Sequence, residues 1–197
     1  MGEIKSALEL ALERTAEVKG DKSKIELHDA RQAGMKLAGK FMDDPSVDLK
    51  REIKNFDRAR QAGVREGCFQ VLLSHLALPG QDTELDRLDK VARGLDLLIS
   101  DRRTVADLMG QVAQLLQQYV DTKGRLIESL RQQFEPRMRQ KEAQIAQQTG
   151  RTVKLDPSND PEFAQALSAN MDRLRSQYAE VIKQAKDQLQ ELFAESR

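Results

Sequence analysis

The chain reads as all-α, an N-terminal helical bundle followed by a long antiparallel, coiled-coil-like helical hairpin. Three observations predict this. Leu, Ala, Glu, Lys, Arg and Gln dominate the 197 residues, and these are the strong helix formers. Apolar residues recur three or four apart through most of the chain, the spacing that puts them on one face of a helix. Isoleucine, valine and threonine are too scattered to build a sheet. With 39% hydrophobic residues, 4% aromatics and no tryptophan, the apolar supply is thin for a compact sphere and suits slender helical layers.

Taken in order, Gly2 to Lys19 carries Ile4, Leu8, Ala11, Leu12, Thr15 and Val18 at helical spacing, with Ser6 and Glu9 as a late capping box. "GDKSK" is expected to break this helix, and Ser23 with Glu26 to cap a second one that runs to about Met42. "DDPS" then forces a turn, since Pro45 biases Asp44 away from helix. Ser46 is the expected cap of a third helix through Leu49, Ile53, Phe56, Val64, Cys68, Val71, Leu72 and His75. Pro79 and Gly80 stop it. A fourth helix, capped by Thr83 with Asp86, carries Leu85, Leu88, Val91, Leu95 and Leu98. These elements make a bundle over residues 1–100.

Residues 101–197 form the predicted hairpin. From a cap at Thr104 with Asp107, the stripe runs Val105, Leu108, Val112, Leu115, Tyr119, Leu126, Leu130 and Phe134. Pro136 predicts a kink or short break, because Met138 and Ile145 continue the pattern beyond it. Unbroken, residues 104–148 would rise about 65 Å. A connecting loop follows near 149–160, the one stretch expected to be extended, and Asp160 before Pro161 gives a strong helix start. The last stripe is Phe163, Leu167, Met171, Leu174, Tyr178, Val181, Ala185, Leu189 and Leu192, stepping by about 3.6, so the two helices can pack without a strict heptad supercoil.

"ARQAG" occurs at Ala30 to Gly34 and again at Ala59 to Gly63. Extended, the match puts Ala30, Gly34 and Ala38 in one helix and Ala59, Gly63 and Gly67 in another, each with small residues at i, i+4 and i+8. Every interior glycine costs a helix about 1 kcal/mol against alanine, so close approach of another backbone is the sensible compensation. Phosphate loops place glycines before a helix N-terminus, whereas these lie inside helices. An antiparallel hairpin about Asp44 would set Ala30 opposite Ala59, but Gly34 near Asn55 and Ala38 near Arg51. The remaining small positions must then meet another helix or the same strip of a second subunit, and the reading favours a homodimer.

Motif-borne chemistry is scarce. The chain has no Gly-x-Ser-x-Gly, His-Glu-x-x-His or Walker loop, so no catalytic residue, cofactor or metal site is assigned. Cys68 and His75 share a helical face, but two turns separate their Cα atoms by about 10 Å, too far to activate a thiol directly. Both are expected to be buried as ordinary core, and His28 to be exposed. Glu84, Asp86 and Asp89 lack calcium-loop geometry and read as a solvated face. A single cysteine excludes an internal disulfide and fits a reducing compartment.

The charges balance at 32 of each sign, which predicts no global pull toward nucleic acid or an anionic membrane. Locally, Lys123 to Lys154 holds eight basic and three acidic residues, and Arg131, Arg137, Arg139, Lys141 and Arg151 are the candidates for polyanion contact. The other destination for these charges is the last helix, at Asp172, Glu180, Asp187 and Glu191. No apolar run reaches the roughly 20 residues a membrane helix needs, and no signal sequence opens the chain, so a cytoplasmic place is expected.

"EIKSALELALERT", "VREGCFQVLLSHL" and "DPEFAQALSANMDRLRSQYAEVIKQAKDQL" resemble uncharacterised bacterial hypothetical proteins over nearly the whole chain. That resemblance implies a bacterial cytoplasmic protein and transfers no functional residue. The expected function is therefore a non-enzymatic helical interaction protein, homodimeric, whose arm presents a surface to another protein. The alternatives are binding of nucleic acid or an anionic surface through the basic stretch, and an enzyme whose site lies between bundle and arm.

Overall fold

The computed structural model describes residues 7–44, 46–80 and 86–196, with the side chains of all but 7–23 and 86. It is all-α: α1 (Ala7–Asp43), α2 (Leu49–Lys54), α3 (Arg58–Ser74), α4 (Asp86–Leu98), α5 (Arg102–Thr149) and α6 (Pro161–Glu195), with a 3-10 turn at Pro157–Asn159. The described residues fall into two units. One draws on Met1–Leu76, Arg87–Ala106 and Leu189–Arg197, the other on Ala77–Asp86 and Asp107–Gln188.

Several helix ends differ from those the sequence predicts. "GDKSK" does not break the first helix, because it contains no proline and a 37-residue helix absorbs the roughly 1 kcal/mol that its glycine costs. Ser23 and Glu26 thus lie inside α1. The predicted third helix is instead two. Its cap is Asp48, whose Oδ1 accepts from the Arg51 N–H at 3.0 Å, while the Ser46 N–H donates to Asp44. Asn55 closes α2, and the Gln61 amide spans the gap by donating to the Phe56 carbonyl at 2.8 Å. The break falls in a stretch with no large apolar residue between Phe56 and Val64. Asp101, not Thr104, caps α5: its carboxylate accepts from both the N–H and the hydroxyl of Thr104. The predicted caps at Ser6 with Glu9 and Thr83 with Asp86 lie outside the described residues or side chains.

In the first unit α3 packs on α1, and α2 lies against both. The contacts climb together along the two long helices: Leu27 and Ala30 at Gly63, Arg31 at Glu66 and Gly67, Gly34 at Cys68. The helices therefore run in the same direction, not antiparallel about Asp44. Residues 44–57 carry the chain back before α3 begins. Gly94 seats α4 against Leu72 and Phe41, and the Lys90 ammonium caps the end of α1 by donating to the Met42 carbonyl at 2.8 Å. Arg65 ties in two further ends, donating to the carbonyls of Leu98 and Ser196, with its guanidinium over Phe193, which stacks on Phe69 at 4.1 Å.

The second unit is an antiparallel pair. Tyr119 meets Tyr178 and Phe134 meets Phe163, both edge to face, so fifteen residues up α5 match fifteen back along α6. Helix α5 runs through Pro136 without a break. Gly150 ends it with φ 69°, a left-handed conformation that suits glycine, while its N–H donates to the Ala146 carbonyl. An extended stretch and the 3-10 turn then lead to α6 at Pro161, where the sequence placed it. Beyond Tyr178 the buried stripe of α6 keeps Ala185 and Leu189 but takes Ile182 and Phe193 in place of Val181, which is 44% exposed, and Leu192.

Candidate functional site

The small-residue strip lies in the α1–α3 seam. Ala30, Gly34, Ala38, Gly63 and Gly67 are buried there, and Ala59 alone is exposed. A Cβ on Gly34 would stand 2.0 Å from the Val64 carbonyl oxygen, and one on Gly67 the same distance from that of Arg31. Gly63 faces Ala30, so the two copies of the repeat meet displaced by about one helical turn. Cys68 donates to the Gly34 carbonyl at 3.2 Å, and burial pushes its thiol up to about 12, far from a reactive thiolate at neutral pH. His75 does not share that burial. It is exposed at the end of α3, beside Asp43, Arg87 and Lys90. His28 is exposed, as expected.

The basic stretch is largely tied to carboxylates of its own unit. Arg137 forms a two-pronged pair with Glu162, Arg139 pairs with Glu135 one turn away at 2.6 Å, and the Lys141 ammonium donates to Asp160 at 2.5 Å. Asp160 is the one buried polar or charged residue among those described, and its second oxygen accepts from the Glu162 N–H to start α6. Glu142 accepts from the Leu155 N–H and pins the extended stretch to α5. These bonds, Lys141 foremost, hold the Asp160 carboxyl below the usual range, and Arg137 does the same for Glu162. The destination of these cations is thus Glu135, Asp160 and Glu162 and not the acidic residues further along α6. Arg131 and Arg151 are exposed, Arg131 in a cleft with Glu128, Glu135 and Asp156.

A surface that sequence reasoning missed lies along one side of the α5–α6 pair. A groove of about 290 Å³ is lined by Leu108, Val112, Leu115, Val181 and Ala185 and fringed by Gln111, Gln114, Gln118, Gln184 and Gln188. None of these ten residues is charged, in a chain of which 32% is. The signal was present as glutamines three or four apart beside each apolar stripe, but charge runs drew the reading elsewhere. Among the described residues no group of three or more His, Cys, Asp or Glu is placed to hold a metal ion, and no helix is long and apolar enough to cross a membrane. Glu84 and the Asp86 side chain are outside the described part.

A family model described as a family of unknown function (DUF6657) matches residues 50–191, well over half of the 197. The chain belongs to that family. No curated protein and no solved structure matches it.

Proposed function

We propose that this family member is a non-enzymatic helical interaction protein of the cytoplasm, which self-associates as a homodimer and in that form presents its surface to another protein. The uncharged groove on the hairpin carries the reading. Interface centres are depleted of charge relative to the rest of a protein surface, and here a highly charged chain has kept one long groove free of it. The small-residue strip supports close packing inside the chain, which leaves the hairpin as the surface with unspent capacity.

Light scattering at several concentrations and salt strengths tests the proposal. The expected mass is twice the 22.3 kDa of one chain, with only a modest dependence on salt because the groove itself is uncharged and charges lie only at its ends. A mass of one chain at every concentration overturns self-association. Binding to polyanions that collapses steeply with salt would instead favour a role for Arg131 and Arg151.

A further inference from the structure

We infer that the hairpin groove is the seat of this self-association and that its occupant is the same face of a second copy, turned antiparallel about a two-fold axis so that four helices close into a bundle. This rests on the self-association proposed above and names its site. A glutamine amide both donates and accepts, so a face edged with Gln111, Gln118, Gln184 and Gln188 complements a copy of itself; a face of single-sign charge would repel its copy. None of the five groove glutamines has a side-chain hydrogen-bond partner among the described residues, so that capacity is unspent. Val181, 44% exposed on the groove, supplies apolar surface that a monomer leaves in water.

Charge sets the direction. At one end of the groove Asp107 and Asp187 outnumber Lys186, giving one net negative charge over residues 107–110 and 185–188. At the other end residues 119–125 and 172–180 carry one net positive charge, Lys123, Arg125, Arg173 and Arg175 against Asp121, Asp172 and Glu180. An antiparallel arrangement sets each end against its opposite, whereas a parallel one sets like against like. Four-helix bundles are the ordinary way for two such hairpins to cover their open sides.

The test compares Val181→Glu with Val181→Lys in the full chain, reading the dimer dissociation constant by sedimentation or light scattering and the helix content by circular dichroism. Position 181 is exposed, so both variants are expected to fold. Val181→Glu should weaken the dimer about tenfold or more, because the new carboxylate meets the partner's acidic groove end, and Val181→Lys should weaken it less. Equal weakening by both overturns the antiparallel arrangement. A dimer untouched by Val181→Glu overturns the groove as the seat while self-association stands. A wild-type monomer overturns both.

Discussion

The first unit holds its helices together by leaving side chains out, the second by putting them in. Along the α1–α3 seam, glycines bring backbone against backbone, with carbonyl oxygens of Val64 and Arg31 occupying the space where Cβ atoms of Gly34 and Gly67 would stand. Along α5–α6, rings meet edge to face at 5.3 and 5.4 Å. Helix spacing follows what lies between the axes. A seam made of absences has nowhere to move when an atom is added. A seam made of side chains can shift rotamers and exchange one contact for another.

The largest effect should therefore come from a single methyl group in the seam. Gly34→Ala or Gly67→Ala in an ordinary helix would gain about 1 kcal/mol. Here the methyl meets backbone, which cannot rotate aside, and overpacking of that kind costs about 3 kcal/mol. Urea unfolding followed by circular dichroism should show each variant less stable than wild type by about that amount. A gain at either position would mean that the helices part at no cost.

Gly110 and Gly124 provide the contrast within α5. Nothing stands within 4 Å of a Cβ at either position, and neither has a positive φ. The same substitution, Gly→Ala, should raise stability there by about 0.5–1 kcal/mol, through helix propensity and a less disordered unfolded chain. Loss of stability at these two positions, in the same unfolding assay, would erase the distinction between the two units.

The sequence announced this difference only in part. Helix class, the fold-back near 149–160 and the start of α6 at Pro161 follow from local chemistry that acts within a few residues, and these were legible. The glycines of the repeat pointed to a close backbone, but which backbone depended on the direction of α3. That direction is decided by residues 44–57, where a break at Asn55 to Asp57 and the cap at Asp48 turn one expected helix into two. Local propensity barely distinguishes a continuing helix from a broken one at that stretch. The groove was hidden for another reason. Its glutamines belong to two segments some seventy residues apart, and only the pairing of Tyr119 with Tyr178 and Phe134 with Phe163 brings them onto one side.

The smallest effect is expected at the tip of the hairpin, where side chains and their charges do the closing. Asp160 accepts from Lys141 and from the Glu162 N–H, Glu162 from Arg137, and Asp156 from the Ser158 N–H, and each of these bonds holds its carboxyl below the usual range. A carboxylate with a lowered folded-state pKa stabilises the fold fully above its unfolded value, and that contribution fades as pH falls through the folded one. The tip should therefore be intact at neutral pH and loosen below about pH 4. In proton–nitrogen correlation spectra the Ser158 and Glu162 amides, which donate to Asp156 and Asp160, should shift there, while amides of the α1–α3 seam stay in place. Lys141→Met removes the foremost cause of the lowered Asp160 value, so it should move the Glu162 transition to higher pH. An unmoved transition would show that the Lys141 ammonium does not set the closure, and would leave the helix start at Pro161 as its support.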